Sequence, residues 1–504
     1  MPLGSGSLCA QTIRRLFVGM LSMLLGVANP SIAQEAKLSP SYVAGESSFG
    51  SSLTIDGEYI IVGAPYDDEV DSLAGAAYVF NRQGLQWIEQ AKLIPSDAII
   101  EHTFGTAVAL DDDYALIGAQ NSADGTFKGS AYIFKRTGTQ WNEQTILLGS
   151  DVFSNDLFGR SVDIDGDYAV VGTTRGASAY VFMRNGAKWE EKTKLTTTND
   201  PFLFGESVAI STPHIVVGSY KEDSFLNEGV SYSVGAVHIF ALESSSWSHQ
   251  EKLTPPLPDE ASTRFGHRIA IDGERVAVLA TRGSALYIFR RMDSMWVQEA
   301  RIETSTSSLT PLNLWEVAMS AELVAVSGWF SNTEGTRFGA VLLYEYADDQ
   351  WIEQTILTSP EPCDFDVFGV GLDLDEQHLV VGAPCRSSSG SHSDAVYIYS
   401  RTALALTSSE DQDLFRTEEY ELQVYPNPSA GIVEGELTVT STQHVTIELF
   451  NILGHRVRLL HYGQLLGGHT HRFQMHGGDL GSGQYIIRVQ GERFGANKAI
   501  TVLH

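Results

Sequence analysis

Helical periodicity is missing from the body of this 504-residue chain. Nowhere in its central region do apolar residues recur at the 3.6-residue spacing of an amphipathic helix. That removes helical bundles and α/β folds from consideration. No run beyond the N-terminal leader is long and apolar enough to span a membrane. Basic residues are scarce, with 33 Lys plus Arg against 62 Asp plus Glu and a formal net charge of −29. Such a surface repels phosphate backbones and anionic headgroups, so nucleic acid is not an expected partner. The chain carries no H-E-x-x-H, no G-x-S-x-G and no phosphate-binding glycine loop, so no motif names a catalytic residue or a cofactor. Cysteine is limited to Cys9, Cys363 and Cys385.

Against these absences stand 47 glycines spread along the chain and an apolar content of 43%, enough for a core with many tight turns. Arg14 and Arg15 precede an apolar stretch at 16–28, and SIA ends at Ala33. This is the pattern of a secretory signal peptide (residues 1–33) cleaved between Ala33 and Gln34. Cys9 leaves with it, and the remaining pair permits one disulfide in an exported chain.

One pattern then recurs. FG, a short apolar strand, a tight turn and a second strand ending in glycine appear as FGSSLTIDGEYIIVG from Phe49 and FGTAVALDDDYALIG from Phe104. Further copies start at Phe158, Phe204, Phe265 and Phe368, and a degenerate one, LWEVAMSAELVAVSG, starts at Leu314. The starts lie 46–61 residues apart, and six copies place glycine fourteen residues on, with Leu279 taking that place in the Phe265 copy. Each copy is followed by a third strand such as GAAYVF or GAVHIF. Six are followed by a fourth, W-x5-L/I, carrying Trp87, Trp141, Trp189, Trp247, Trp296 and Trp351. Four short strands per unit near 50 residues are propeller blades. The seventh unit lacks its fourth strand, while QEAKL at 34–38 is an unattached copy of one. The start of the chain therefore closes the last blade, leaving no open sheet edge. The expected fold is all-β, a seven-bladed β-propeller over 34–400.

These units resemble the FG-GAP repeat family, which implies the propeller. In integrin-type members a calcium loop joins the first two strands of a blade. Here that turn is IDGEY, LDDDY or IDGDY. Calcium needs about six to eight oxygens, whereas Asp-Gly is what a tight hairpin prefers. No cofactor is expected. Calcium remains the one alternative, at Asp163, Asp165 and Asp167, the richest set.

Two loop families share one face of such a ring. Those joining strands two and three vary from three residues to sixteen between the flanking glycines, and variable loops on a rigid scaffold are where binding sits. Two are acidic, offering Asp67, Asp68, Glu69 and Asp71 in one and Glu222, Asp223 and Glu228 in the other as ligand-face candidates. Cys363 and Cys385 lie in adjacent loops on this face, and a disulfide between them is expected. One tryptophan per blade at a fixed place reads as packing rather than sugar stacking.

Residues 401–420 form an acidic linker. From 421 to 504, LQVYPNPSAG, VTIELFNILGHRV and GGDLGSGQYIIRV alternate like the strands of a small β-sandwich. In that order they resemble the type A C-terminal sorting domain of the type IX secretion system. The resemblance implies the translocon as partner and passage through the periplasm to the outer surface or the medium. The expected function is a monomeric, non-catalytic binding or adhesion propeller for an extracellular protein or glycan. The alternatives are a carbohydrate-active enzyme with its site at the propeller funnel and a structural surface component.

Overall fold

A computed structural model describes residues 34–400 apart from 42–46, 85, 122–127, 198–202, 223, 228–229, 256–262, 283, 305–308, 321, 334, 348, 362–366 and 386–393. It also describes 420–502 apart from 426–431, 440–441, 452–455, 477–479, 481–482 and 491–494. The segment 1–33, expected to be a signal peptide, and the expected linker up to 419 lie outside these residues. The chain divides into two compact units, 1–408 and 409–504.

The first unit is a ring of seven four-stranded antiparallel sheets. Blade one runs outward from the axis as Ser52–Asp56, Tyr59–Ala64, Ala76–Gln83 and Gln86–Leu93, in sequence order. Blades two to six span 104–147, 161–195, 204–253, 265–303 and 309–358 with the same order. Blade seven is built from Leu372–Leu374, His378–Ala383, Ala395–Ser400 and, outermost, Gln34–Leu38 from the N-terminal side of blade one. Ala36, Lys37 and Leu38 pair with Ile398, Tyr397 and Val396. The ring closure read from QEAKL is thus a main-chain ladder. In blade four a two-stranded hairpin, Ser224–Asn227 with Val230–Ser233, is inserted between the second and third strands.

The repeated residues are the joints between blades. Phe49, Phe104, Phe158, Phe204, Phe265 and Phe368 are fully buried, each worth roughly 1.5–3 kcal/mol of apolar burial. Five of them meet the third-strand aromatic of their own blade edge-on, as Phe104 meets Tyr132 and Phe134. The glycine after each Phe takes φ of +82 to +98°, a region that favours glycine. In five of the six copies it brings its carbonyl against the glycine that ends the second strand of the preceding blade, whereas the Gly369 carbonyl accepts from Ser327 Oγ. A Cβ on Gly118 would sit 2.0 Å from the oxygen of Gly159. Where that second-strand glycine is replaced by Leu279, the next blade also departs, carrying Leu314–Trp315 for FG. Leu279 and Leu314 share one apolar cluster there. These two departures from the repeat are buried in the same cluster.

The tryptophans act on the outer side of the same joints. Trp141 meets Tyr59 edge-on, Trp189 meets Tyr114, Trp247 meets Tyr168, Trp296 meets His214, and Trp87 meets His378 across the closure. In each case the partner begins the second strand of the preceding blade. Trp351 instead donates from Nε1 to Glu299 of blade five at 3.0 Å. The fixed position is therefore blade-to-blade packing.

The second unit is a small sandwich. Tyr420–Tyr425, Ile432–Val439 and Thr470–His476 form one sheet, and Arg456–Leu465, Gln443–Asn451, Gly483–Gln490 and Gly495–Val502 the other. Leu437, Val439, Met475, Val445, Ile447, Ile487 and Val489 are drawn from both sheets into one buried core.

Candidate functional site

The innermost strands run down the propeller axis, so their side chains line a central channel. Its mouth opens on the face where two loop families meet, as expected. Thr103 and Phe104, entering blade two, donate from their backbone amides to Leu73 and Ala74 in the second-to-third-strand loop of blade one. The cavity at this mouth has a volume of about 500 Å³ and takes residues from all seven blades.

The two residues after each FG decide its chemistry. Read around the ring they are Ser51–Ser52, Thr106–Ala107, Arg160–Ser161, Glu206–Ser207, His267–Arg268, Glu316–Val317 and Val370–Gly371. Charge appears only in blades three to six. Arg160 Nε lies 3.6 Å from Glu206 Oε1, and Arg268 Nε donates to Glu316 Oε2 at 3.0 Å. Arg268 also donates to the His267 carbonyl at 2.9 Å. The facing wall, from blades seven, one and two, is neutral and includes Ser51, Tyr66, Thr106, Gln120 and Val370.

Burial, then the charges of Arg268, Arg264 and Arg160, push His267 down to about 2, so it is a neutral imidazole at any working pH. Its ring packs edge-on against Tyr220 at 4.7 Å. Burial raises the Glu316 carboxyl above its ordinary value, with Arg268 opposing. Two buried polar atoms lining this mouth have no hydrogen-bond partner among the described residues, Ser51 Oγ and Glu206 Oε2. Buried polar groups are normally paired, so these atoms point to a polar ligand or to water as their complement.

The carboxylates of the calcium alternative have other tasks. Asp163 accepts from the Ile164 amide at 2.9 Å and, across the joint, from Ile210 at 2.7 Å. Asp165 accepts from Thr212 at 2.6 Å, and Asp167 accepts from Arg184 Nε at 2.7 Å. The three carboxylates are thus each engaged by their own partners, two backbone amides for Asp163, the Thr212 amide for Asp165 and Arg184 for Asp167. No group of three or more metal-ligating side chains gathers among the described residues. Asp56 and Asp111 repeat the Asp165 contact, accepting from Asp112 and Gly166 of the next blade at 2.8 and 2.9 Å. The turn aspartates thus stitch neighbouring blades as well as shaping hairpins. Asp373 accepts from Ile55 at 2.9 Å, placing an Asp163-like contact at the ring closure. Burial raises Asp163 to about 7 and Asp373 to about 6, and each gains a further push from nearby aspartates.

The acidic loops divide. Asp67 is only 2% exposed and accepts from Tyr78 Oη at 2.7 Å and from Lys92 Nζ at 2.9 Å. Glu222 is fully buried, with His238 Nε2 at 2.7 Å and Lys252 Nζ at 2.9 Å. Burial opposes ionisation of Glu222, but His238 and Lys252 outweigh it and hold the carboxyl below its ordinary value. Both residues are internal struts, a correction to their place among the ligand-face candidates, because their loops fold back and bury them. Asp68, Glu69 and Asp71 are exposed. Asp223 and Glu228 lie outside the described residues, as does Cys363; Cys385 is disulfide-bonded.

The channel-mouth residues were not singled out from the sequence. The signal was available: within the aligned repeats, the two places after FG are where charge enters in only some copies.

The FG-GAP repeat model matches residues 32–80, 87–134, 141–182 and 351–399, and a secretion system C-terminal sorting domain model matches 423–502. No curated protein matches the chain. Among solved structures it is similar to a putative 6-phosphogluconolactonase from Bacteroides uniformis, with 12% identity over 64% of this chain and 88% of that one and a TM-score of 0.43. A putative 6-phosphogluconolactonase from Bacteroides fragilis shares 8% identity over 72% and 96%, at a TM-score of 0.43. The periplasmic gluconolactonase of Pseudomonas aeruginosa shares 11% over 64% and 92%, at 0.40. Likeness at this level assigns no activity. No helix among the described residues is long and apolar enough to cross a membrane.

Proposed function

The chain is an FG-GAP repeat propeller with a type IX secretion sorting domain, exported to the cell surface or the extracellular space, and we propose that it works there as a non-catalytic binding module whose ligand enters the channel mouth. One observation carries this reading. The charged half-ring of Arg160, Glu206, Arg268 and Glu316 breaks the repeat symmetry at a place where blade architecture asks for nothing, and it lines a cavity of about 500 Å³. A cavity of that size suits a sugar or a chain terminus rather than a flat protein surface.

The test compares the mature chain with Val370→Trp, which fills the neutral wall without touching the ion pairs. Both are applied to glycan arrays and to pull-downs from culture medium. Binding lost in the filled variant, with melting unchanged, supports the reading. Ligands retained by Val370→Trp would move the site off the channel.

A second reading, hydrolysis of a glycan, is favoured by one fact: Glu206 and Glu316 come from different blades and line one cavity. New reducing ends produced by the mature chain but not by Glu316→Gln would establish it.

A further inference from the structure

We propose that the channel mouth selects a uronate, a sugar carrying a free carboxylate, which docks on the guanidinium of Arg160 while a hydroxyl donates to Glu206. This rests on the channel being the binding site and names the ligand class.

The two ion pairs of the half-ring are not equivalent. The Arg268 fork is occupied, with one nitrogen on Glu316 and another on the His267 carbonyl. At Arg160 the Glu206 oxygen lies 3.6 Å away, beyond hydrogen-bond distance, and no other acceptor among the described residues reaches its guanidinium. Its side chain is 34% exposed and lines the cavity. A planar fork with open donors matches a carboxylate in bidentate fashion. Glu206 supplies the other half. It is nine-tenths buried at 9% exposure, and its Oε2 has no partner among the described residues. A carboxylate oxygen can only accept, so the group that completes it must donate. Ser51 Oγ, which also lines the cavity and has no partner among the described residues, extends the polar rim. The ligand must therefore offer an anion and hydroxyls a short distance apart, as a uronate does.

Local charge is compatible with this. Arg160, Arg264 and Arg268 all act on His267, against Glu206 and Glu316 in the same half-ring. The overall charge of −29 is felt weakly in the mouth, because at physiological salt it is screened within about 8 Å.

The experiment titrates the mature chain, by saturation-transfer NMR and calorimetry, with D-glucuronate, its methyl ester and D-glucose. The ester keeps the ring and hydroxyls but hides the carboxylate. Glucuronate is expected to bind at least tenfold more tightly than either control. Arg160→Gln should remove that preference while leaving ester binding within twofold, and Arg160→Lys should restore part of it. Equal affinity for acid and ester, no binding of glucuronate, or glucuronate binding unchanged by Arg160→Gln overturns the proposal. Neutral sugars that bind the mature chain but not Val370→Trp would keep the channel as the site while rejecting uronate. Glucuronate bound equally by the mature chain, Arg160→Gln and Val370→Trp would reject both.

Discussion

Gly382 of blade seven lies against Gly50 of blade one so closely that a Cβ on Gly382 would fall 1.9 Å from the Gly50 carbonyl oxygen. The same pinch joins Gly63 to Gly105, Gly172 to Gly205 and Gly218 to Gly266, each at 2.1 Å. At the closure it holds together residues more than three hundred positions apart. Gly382→Ala should therefore cost about 3 kcal/mol, the upper range for overpacking, measured by urea denaturation. Gly57→Asn is the control: its site has open space and a φ of +55° that Asn tolerates. It should change stability by less than about 0.5 kcal/mol.

Removing Gln34–Leu38 tests the closure from its other side. Leu38 is buried among Phe49, Val396 and Ile398, and Glu35 reaches Arg82 of blade one at 2.9 Å. Deletion opens this cluster and leaves Ala395–Ser400 as an exposed edge. Faster amide exchange in blades seven and one, with blades three and four protected as before, is the expected result. Uniform protection would show that the strand is dispensable.

His238 and Glu222 form a matched exchange within the repeat. In blade one the corresponding residues are Tyr78 and Asp67, joined at 2.7 Å, the same length as the His238–Glu222 contact. A shorter ring is met by a longer acid. His238→Tyr alone should crowd Glu222 and lose about 2 kcal/mol, and Glu222→Asp alone should lose about as much by leaving a buried charge short of its partners. The double variant recreates the blade-one pair. Its loss should fall below the sum of the singles by at least about 1 kcal/mol in a double-mutant cycle.

Asp163 sets a pH dependence. Its folded carboxyl, raised to about 7, holds a proton that the unfolded chain releases near pH 4. The folded state binds more protons between these values, so this group's contribution is full below pH 4 and is lost as pH rises through 7. The side chain is only partly buried, which reduces the effect. Asp163→Asn removes the ionisation, so its stability relative to the parent should improve by about 2 kcal/mol between pH 4 and pH 8. Chemical denaturation at the two pH values measures it, and a constant difference would contradict the assignment.

Blade number, strand order and ring closure were legible in the sequence because each rests on local information. Period-two patterning marks strands, Asp-Gly marks hairpins, and a quarter-repeat at 34–38 answers a three-quarter repeat ending at 400. Export was legible for a similar reason, since the sorting domain is a contiguous stretch. The pairing of Leu279 with Leu314–Trp315 was visible as two exceptions, but not as one joint. Only the tertiary structure decided which acids face solvent and which are struts. Asp67 and Asp68 are adjacent in one acidic run, yet the loop turns one inward to Tyr78 and Lys92 and leaves the other exposed. It also decided the channel mouth. Arg160, Glu206, Arg268 and Glu316 are spread over more than 150 residues and become neighbours only when seven inner strands close around one axis. Ring closure is a global constraint, and no spacing within a single repeat encodes what will stand opposite it.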